Sequence, residues 1–168
     1  MSTPKSGIVQ LAVIGEADAG KTTLIARLVS GDFIDTSITA GFDVETWQVS
    51  LDESTAIKAS LFEFGTQDHF RFFQAAHITG AKIALIVFDS SSFGSLKAID
   101  EYIGMISNIP RERKLLVGTK IDVCEKIDYN EIQEVASRHG IEYLLVSAKE
   151  GTNIGTLVLR LKEMIQSM

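Results

Sequence analysis

Near the start of the chain, Gly15-Glu16-Ala17-Asp18-Ala19-Gly20-Lys21-Thr22-Thr23 sets a lysine and two threonines directly behind a glycine-flanked turn. Residues of these types at this spacing can cradle phosphate. Glycines let a backbone curl so that successive N–H groups point inward. A helix starting at Lys21 adds partial positive charge at its N-terminus. In such a cradle Gly15, Asp18, Ala19, Gly20 and Thr23 line the phosphates. Lys21 reaches the β- and γ-phosphates, and the Thr22 hydroxyl ligates Mg²⁺.

Two later clusters can choose a base. "VGTKID" spans 117–122 and "VSAKEG" spans 146–151. The Asp122 carboxylate can accept two hydrogen bonds from N1 and N2 of guanine. Adenine lacks that donor pair and would leave the carboxylate unpaired. The Ala148 N–H can meet guanine O6, while the stems of Lys120 and Lys149 flank the base. Thr119 and Ser147 complete the two clusters. Either cluster alone reads as a polar loop; together, in this order and behind strands, they point to guanine.

Elements that position these groups are legible around them. Strands are expected at 8–14, 42–51, 56–64, 83–88, 114–118 and 142–147. The runs "IVQLAVI", "IALIVF", "KLLVG" and "EYLLVS" are mostly apolar on both faces, which suits parallel strands covered by helices on each side. Helices are expected near 21–29, 70–78, 94–106, 129–138 and 153–168. In the last, Ile154, Leu157, Val158, Leu161 and Ile165 form one apolar stripe. "LDEST" reads as a hairpin turn. The order predicts an α/β three-layer fold, whose ligands bind outside the carboxyl ends of the strands. Both the phosphate turn and the base clusters fall at such ends.

Bulk properties narrow the class. A chain of 168 residues, 45% hydrophobic and 23% charged, fits a single globular domain over 1–168. Its net charge of −6 argues against a nucleic acid held through bulk charge. One cysteine, Cys124, excludes an internal disulfide framework. No apolar run is long enough to span a bilayer, and neither end carries a lipid-anchor motif, so a cytoplasmic protein is expected; a monomer is expected as well.

The motifs "GEADAGKT", "TAGFD", "FEFGTQDHFRF", "GTKID" and "SAK" stand in an order and spacing that resemble the Ras-superfamily small GTPases over nearly the whole chain. Rab-like and related archaeal-type members are the most similar. The resemblance implies a six-stranded mixed, mostly parallel sheet with five helices, the small G-protein version of the P-loop fold. It implies a GDP/GTP switch with effector, exchange-factor and activating proteins as partners. Under it, Phe33 packs against guanine, Thr39 closes on Mg²⁺ and the γ-phosphate, and Gln67 orients the attacking water. Lys21, Thr39 and Gln67 are the catalytic set; Thr22, Thr39 and Glu63 are the metal set.

Departures from the family pattern bear on turnover. Glu63 is one methylene longer than the aspartate that usually holds Mg²⁺ through water. Thr66 stands where a glycine N–H usually meets the γ-phosphate, with Gly65 one step earlier. Ala17 stands where many members have glycine, and its methyl can crowd Gln67. Thr119 replaces the common asparagine. Two other readings stay open beside the switch: a GTP-bound scaffold that barely hydrolyses, and an ATP-dependent small-molecule kinase, which Asp122 and "SAK" disfavour. His69 reads as a surface group in the second switch, His77 as partly buried filler and His139 as a helix-end cation. Trp47 reads as packing and Cys124 as structural.

Overall fold

Leu11 and Val13 of the first strand face one side of a sheet and Ala12 and Ile14 the other, and all four are fully buried. Successive side chains of a strand alternate between faces, so an unbroken apolar run demands cover on both. In the computed structural model, which describes residues 7–16, 18–32, 42–64 and 80–168, that cover is helical. The strands are β1 (Ile8–Gly15), β2 (Phe42–Ser50), β3 (Ala56–Phe64), β4 (Ile83–Asp89), β5 (Lys114–Thr119) and β6 (Glu142–Leu145). Their order across the sheet is β2-β3-β1-β4-β5-β6. Only β2 and β3 pair antiparallel; the other neighbours are parallel.

The α-helices among the described residues are α1 (Lys21–Ser30), α2 (Phe93–Lys97), α3 (Ile99–Met105), α4 (Tyr129–His139) and α5 (Ile154–Gln166), with a short 3-10 turn at Arg111–Arg113. Leu24 and Leu28 of α1 and Leu157, Leu161 and Ile165 of α5 pack with Leu11 and Val13. Leu96, Ile99, Ile103, Ile132 and Val135, from α2, α3 and α4, pack with Ala12 and Ile14. The result is the expected three-layer α/β arrangement with a six-stranded mixed sheet.

Differences from expectation are local. The helix expected at 94–106 is two helices meeting at Ala98, whose ψ of −10° tightens the turn there. "FGSLK" contains weak helix formers, and the spacing of Leu96, Ile99 and Ile103 survives the break, so periodicity alone does not reveal it. Strand β6 stops at Leu145: Val146 N–H still reaches Gly118 O of β5 at 2.7 Å, but Ser147 N–H turns away to Thr152 O at 3.1 Å. Helix α5 starts one residue late because Asn153 is left-handed, with φ 60°. The helix expected at 70–78 lies outside the described residues.

The chain leaves β1 for β3 on one side and finds β4 on the other. This is the switch point at which open α/β sheets form a crevice above their carboxyl ends. The turn after β1 opens into that crevice.

Candidate functional site

Gly15 ends β1 with φ 154° and lies against β4; a Cβ there would overlap the Val87 carbonyl oxygen. Only glycine lets the chain leave the sheet this close to its neighbour. The turn continues through Asp18, with φ 63°, and Gly20, with φ 92°, and enters α1 at Lys21. Ala19 N–H donates to Glu16 O at 3.2 Å, closing the turn.

Lys21 is 5% exposed. Its ammonium donates to Gly15 O at 2.9 Å and to Glu16 O at 2.7 Å, so the side chain curls over the loop it follows. Burial pushes its pKa down to about 8, partly opposed by the carboxylates of Glu63, Glu16 and Asp18. A buried cation is costly even with carbonyl partners and nearby carboxylates, and an arriving anion relieves that cost.

The Thr22 hydroxyl donates to Oε1 of Glu63, which stands at the end of β3 and is 3% exposed. Pairing of β1 with β3, Val13 opposite Glu63, sets this contact. A threonine oxygen and a carboxylate side by side form a hard-oxygen donor pair that suits Mg²⁺. Among the described residues no group of three or more His, Cys, Asp or Glu side chains is arranged to hold a metal. Two oxygen donors leave most of an octahedral Mg²⁺ shell to other ligands.

The first base cluster is tied to the phosphate turn. The Thr119 hydroxyl lies between Ala19 O and Phe88 O and donates to Ala19 O. Lys120, left-handed at φ 60°, sends its ammonium to Asp18 O and to Oδ2 of Asp89 at 3.2 Å. The Ser147 hydroxyl donates to Oδ1 of Asp122 at 2.7 Å and accepts from Glu150 N–H at 3.0 Å, fixing the second cluster to the first. Ser147 and Ala148 are buried and Lys149 is exposed.

The structure thus brings together Gly15, Asp18, Ala19, Gly20, Lys21, Thr22, Thr23, Glu63, Thr119, Lys120, Asp122, Ser147, Ala148 and Lys149 along the carboxyl ends of β1, β3, β5 and β6. Ala17, Phe33, Thr39, Gly65, Thr66, Gln67, His69 and His77 lie outside the described residues. Two contributors escape sequence reasoning. Asp89 is the ion-pair partner of Lys120. Ser90 donates both its N–H, at 3.0 Å, and its hydroxyl to Thr119 O. Their only sequence signal is a polar pair at the carboxyl end of an apolar strand.

Comparison with known proteins places the whole arrangement in a family. The model of the Ras family matches residues 10–167. The chain is 30% identical to Ras-related protein Rab-1D of Dictyostelium discoideum, covering 86% of this chain and 73% of that one. It is 32% identical to Ras-related protein Rab-8B of the same organism, covering 88% and 74%. To GTP-binding protein YPTM1 of Zea mays it is 28% identical, covering 99% and 82%. The chain belongs to the Ras family. Membership supports, as its broad class, a GTP-binding regulatory GTPase.

Proposed function

We propose that this protein is a guanine-nucleotide switch that binds GTP and GDP with Mg²⁺ and, unaided, hydrolyses GTP slowly. The observation that carries the reading is the Asp122 carboxylate, oriented by Ser147 in a cluster that Thr119 and Lys120 tie to the phosphate turn. A carboxylate held this way recognises guanine and is left unpaired by adenine.

Catalysis in such a site is positioning and electrostatics. Lys21 exchanges its carbonyl partners for phosphate oxygens and takes up charge developing on the transferred group. The turn's N–H groups hold the β-phosphate. Thr22 and Glu63 would hold Mg²⁺, with Thr39 added by family resemblance, and the ion would supply positive charge against the phosphates. Gln67, by the same resemblance, orients the water in line. Among the described residues no arginine takes part in the contacts of the phosphate turn, so fast turnover is left to an activating protein. Effector, exchange-factor and activating proteins are the expected partners, with the chain working as a cytoplasmic monomer. No helix among the described residues is long and apolar enough to cross a membrane.

A GTP-bound scaffold with little hydrolysis is the second reading. Glu63 favours it, because this carboxylate, one methylene longer than the aspartate usual at that position, takes the Thr22 hydroxyl directly.

The deciding experiment denatures the purified protein and identifies the released nucleotide by chromatography, then titrates GTP and ATP calorimetrically. Guanine nucleotide and a preference for GTP of at least roughly a hundredfold are expected. Equal affinity for ATP would overturn the reading.

A further inference from the structure

Gly151 closes the second base cluster with φ 82°, and a Cβ added to it would collide with Nη2 of Arg27 and lie 3.5 Å from its Cζ. The guanidinium therefore rests on the back of the turn that carries Ala148 and Lys149. Arg27 belongs to α1, the helix whose first residues are Lys21 and Thr22. The neighbours of this contact are buried or hydrogen-bonded. Leu24 and Leu28, which flank Arg27 on α1, share one buried cluster with Val146 and Ile154, which flank the turn. The turn itself is closed by Gly151 N–H to Ser147 O at 2.8 Å and Ile154 N–H to Gly151 O at 3.2 Å. Asn153 Nδ2 anchors its exit to Leu145 O at 2.8 Å.

Followed through space, these contacts form a ring. The phosphate turn binds Thr119 and Lys120. Their loop holds Asp122, which accepts from Ser147. The Ser147 turn runs to Gly151, and Gly151 meets Arg27. Arg27 returns through α1 to the phosphate turn. The links through Thr119, Lys120 and Ser147 join loops at the sheet's carboxyl ends. Arg27 approaches the base-reading turn from the phosphate-binding helix.

We infer that Arg27 is a positioning residue for guanine recognition: its guanidinium props the 147–151 turn against α1, so that the base-reading and phosphate-holding parts of the site move as one body. The inference rests on the guanine reading proposed above. A planar, always-charged group suits the task, because it covers a glycine backbone while its charged edge remains hydrated. Glycine at 151 serves twice: it adopts the left-handed turn and leaves room for the guanidinium.

The test measures dissociation of fluorescent GDP, and the GDP-over-ADP affinity ratio, for wild type, Arg27→Ala, Gly151→Ala and the double variant. Removing Arg27 should speed GDP release about tenfold and shrink the GDP-over-ADP ratio by a similar factor, the scale of one lost packed polar contact. Gly151→Ala should act in the same direction. Because both changes break one contact, adding Arg27→Ala to Gly151→Ala should alter release by less than about threefold. Should Arg27→Ala fail to fold, Arg27→Met keeps the aliphatic stem and carries the same expectation. A lower melting temperature with an unchanged GDP-over-ADP ratio would reduce Arg27 to a structural role and sink the inference, as would additive effects of the two changes. If wild type itself shows no preference for GDP, the guanine reading fails and this inference with it. If wild type prefers GDP and the Arg27 variants match it, the guanine reading stands and only the inference falls.

Discussion

The hydroxyl of Ser147 donates to Oδ1 of Asp122 at 2.7 Å, joining turns that follow β5 and β6. Ser147 is fully buried, so the contact fixes the carboxylate's direction rather than merely decorating it. Ser147→Ala should weaken GDP and GTP alike by roughly ten- to a hundredfold, the range for a hydrogen bond to a charged group. ATP affinity should change little. Equilibrium titration with fluorescent nucleotides checks this.

Base choice itself should follow Asp122. In Asp122→Asn the acceptor pair becomes an amide, which suits a ring carrying a carbonyl where guanine has its amino group. Preference should move from guanine toward xanthine nucleotides, read as a reversal in competition binding.

Lys21 is curled onto Gly15 O and Glu16 O, and burial holds its pKa down to about 8. Lys21→Ala should abolish tight binding of both GTP and GDP while the circular dichroism of the nucleotide-free protein is retained. Wild-type affinity in that variant would mean that the turn does not cradle phosphate.

Hydrolysis depends on residues the family pattern assigns. A displacement of ~1 Å in the water-orienting group costs on the order of a hundredfold. Intrinsic turnover should therefore not exceed the ~10⁻⁴ s⁻¹ scale of an unassisted small GTPase. Ala17→Gly should raise it and Gln67→Leu should lower it, measured by single-turnover phosphate release. If Gln67→Leu changes nothing, the silent scaffold becomes the better account.

On the far side of the sheet, Asp100 of α3 accepts from Arg138 at 3.2 Å and meets His139 of α4 at 2.5 Å. The His139 hydrogen bond holds the Asp100 carboxyl below the usual carboxylate range against the opposing effect of burial, with the Arg138 charge adding to it. A carboxyl depressed in the folded state stabilises it above the unfolded pKa of ~3.9 and loses that contribution as pH falls through the folded value. The melting-temperature gap between wild type and Asp100→Asn should be present at pH 6 and close progressively below pH ~4.

Several of these relationships are legible in the sequence because the chemistry is local. The phosphate turn is one contiguous segment, and Gly15, Gly20, Lys21 and Thr22 declare it by spacing. Asp122 and Ser147 are far apart in the chain, yet each sits in a short polar cluster behind an apolar strand, and parallel pairing of β5 with β6 brings the two together. The strands themselves are read from apolar runs that need cover on both faces. The Asp89–Lys120 pair and the Arg27–Gly151 contact have no such signature. They join long-range neighbours whose side chains are ordinary surface types in one dimension. The break at Ala98 is hidden for a different reason: the buried positions keep helical spacing across it. Thr22 and Glu63 were both legible, but not that their side chains touch, because that follows from which residues pair across β1 and β3.

The position of β1 between β3 and β4 also shapes how the protein reaches its native state. Val13 pairs with Glu63 on one side and with Leu85 on the other, so neither partner exists when β1 leaves the ribosome. The hairpin of β2 and β3, joined through Leu51 N–H to Thr55 O at 2.9 Å, closes over a short loop and can form early. Seating β1 requires two long-range closures, which are entropically slow. Until then "LAVI" is an apolar strand with both edges bare, the kind of segment that invites intermolecular pairing. The segment that begins the phosphate site is thus the first part of the sheet to be synthesised and among the last to be sheltered.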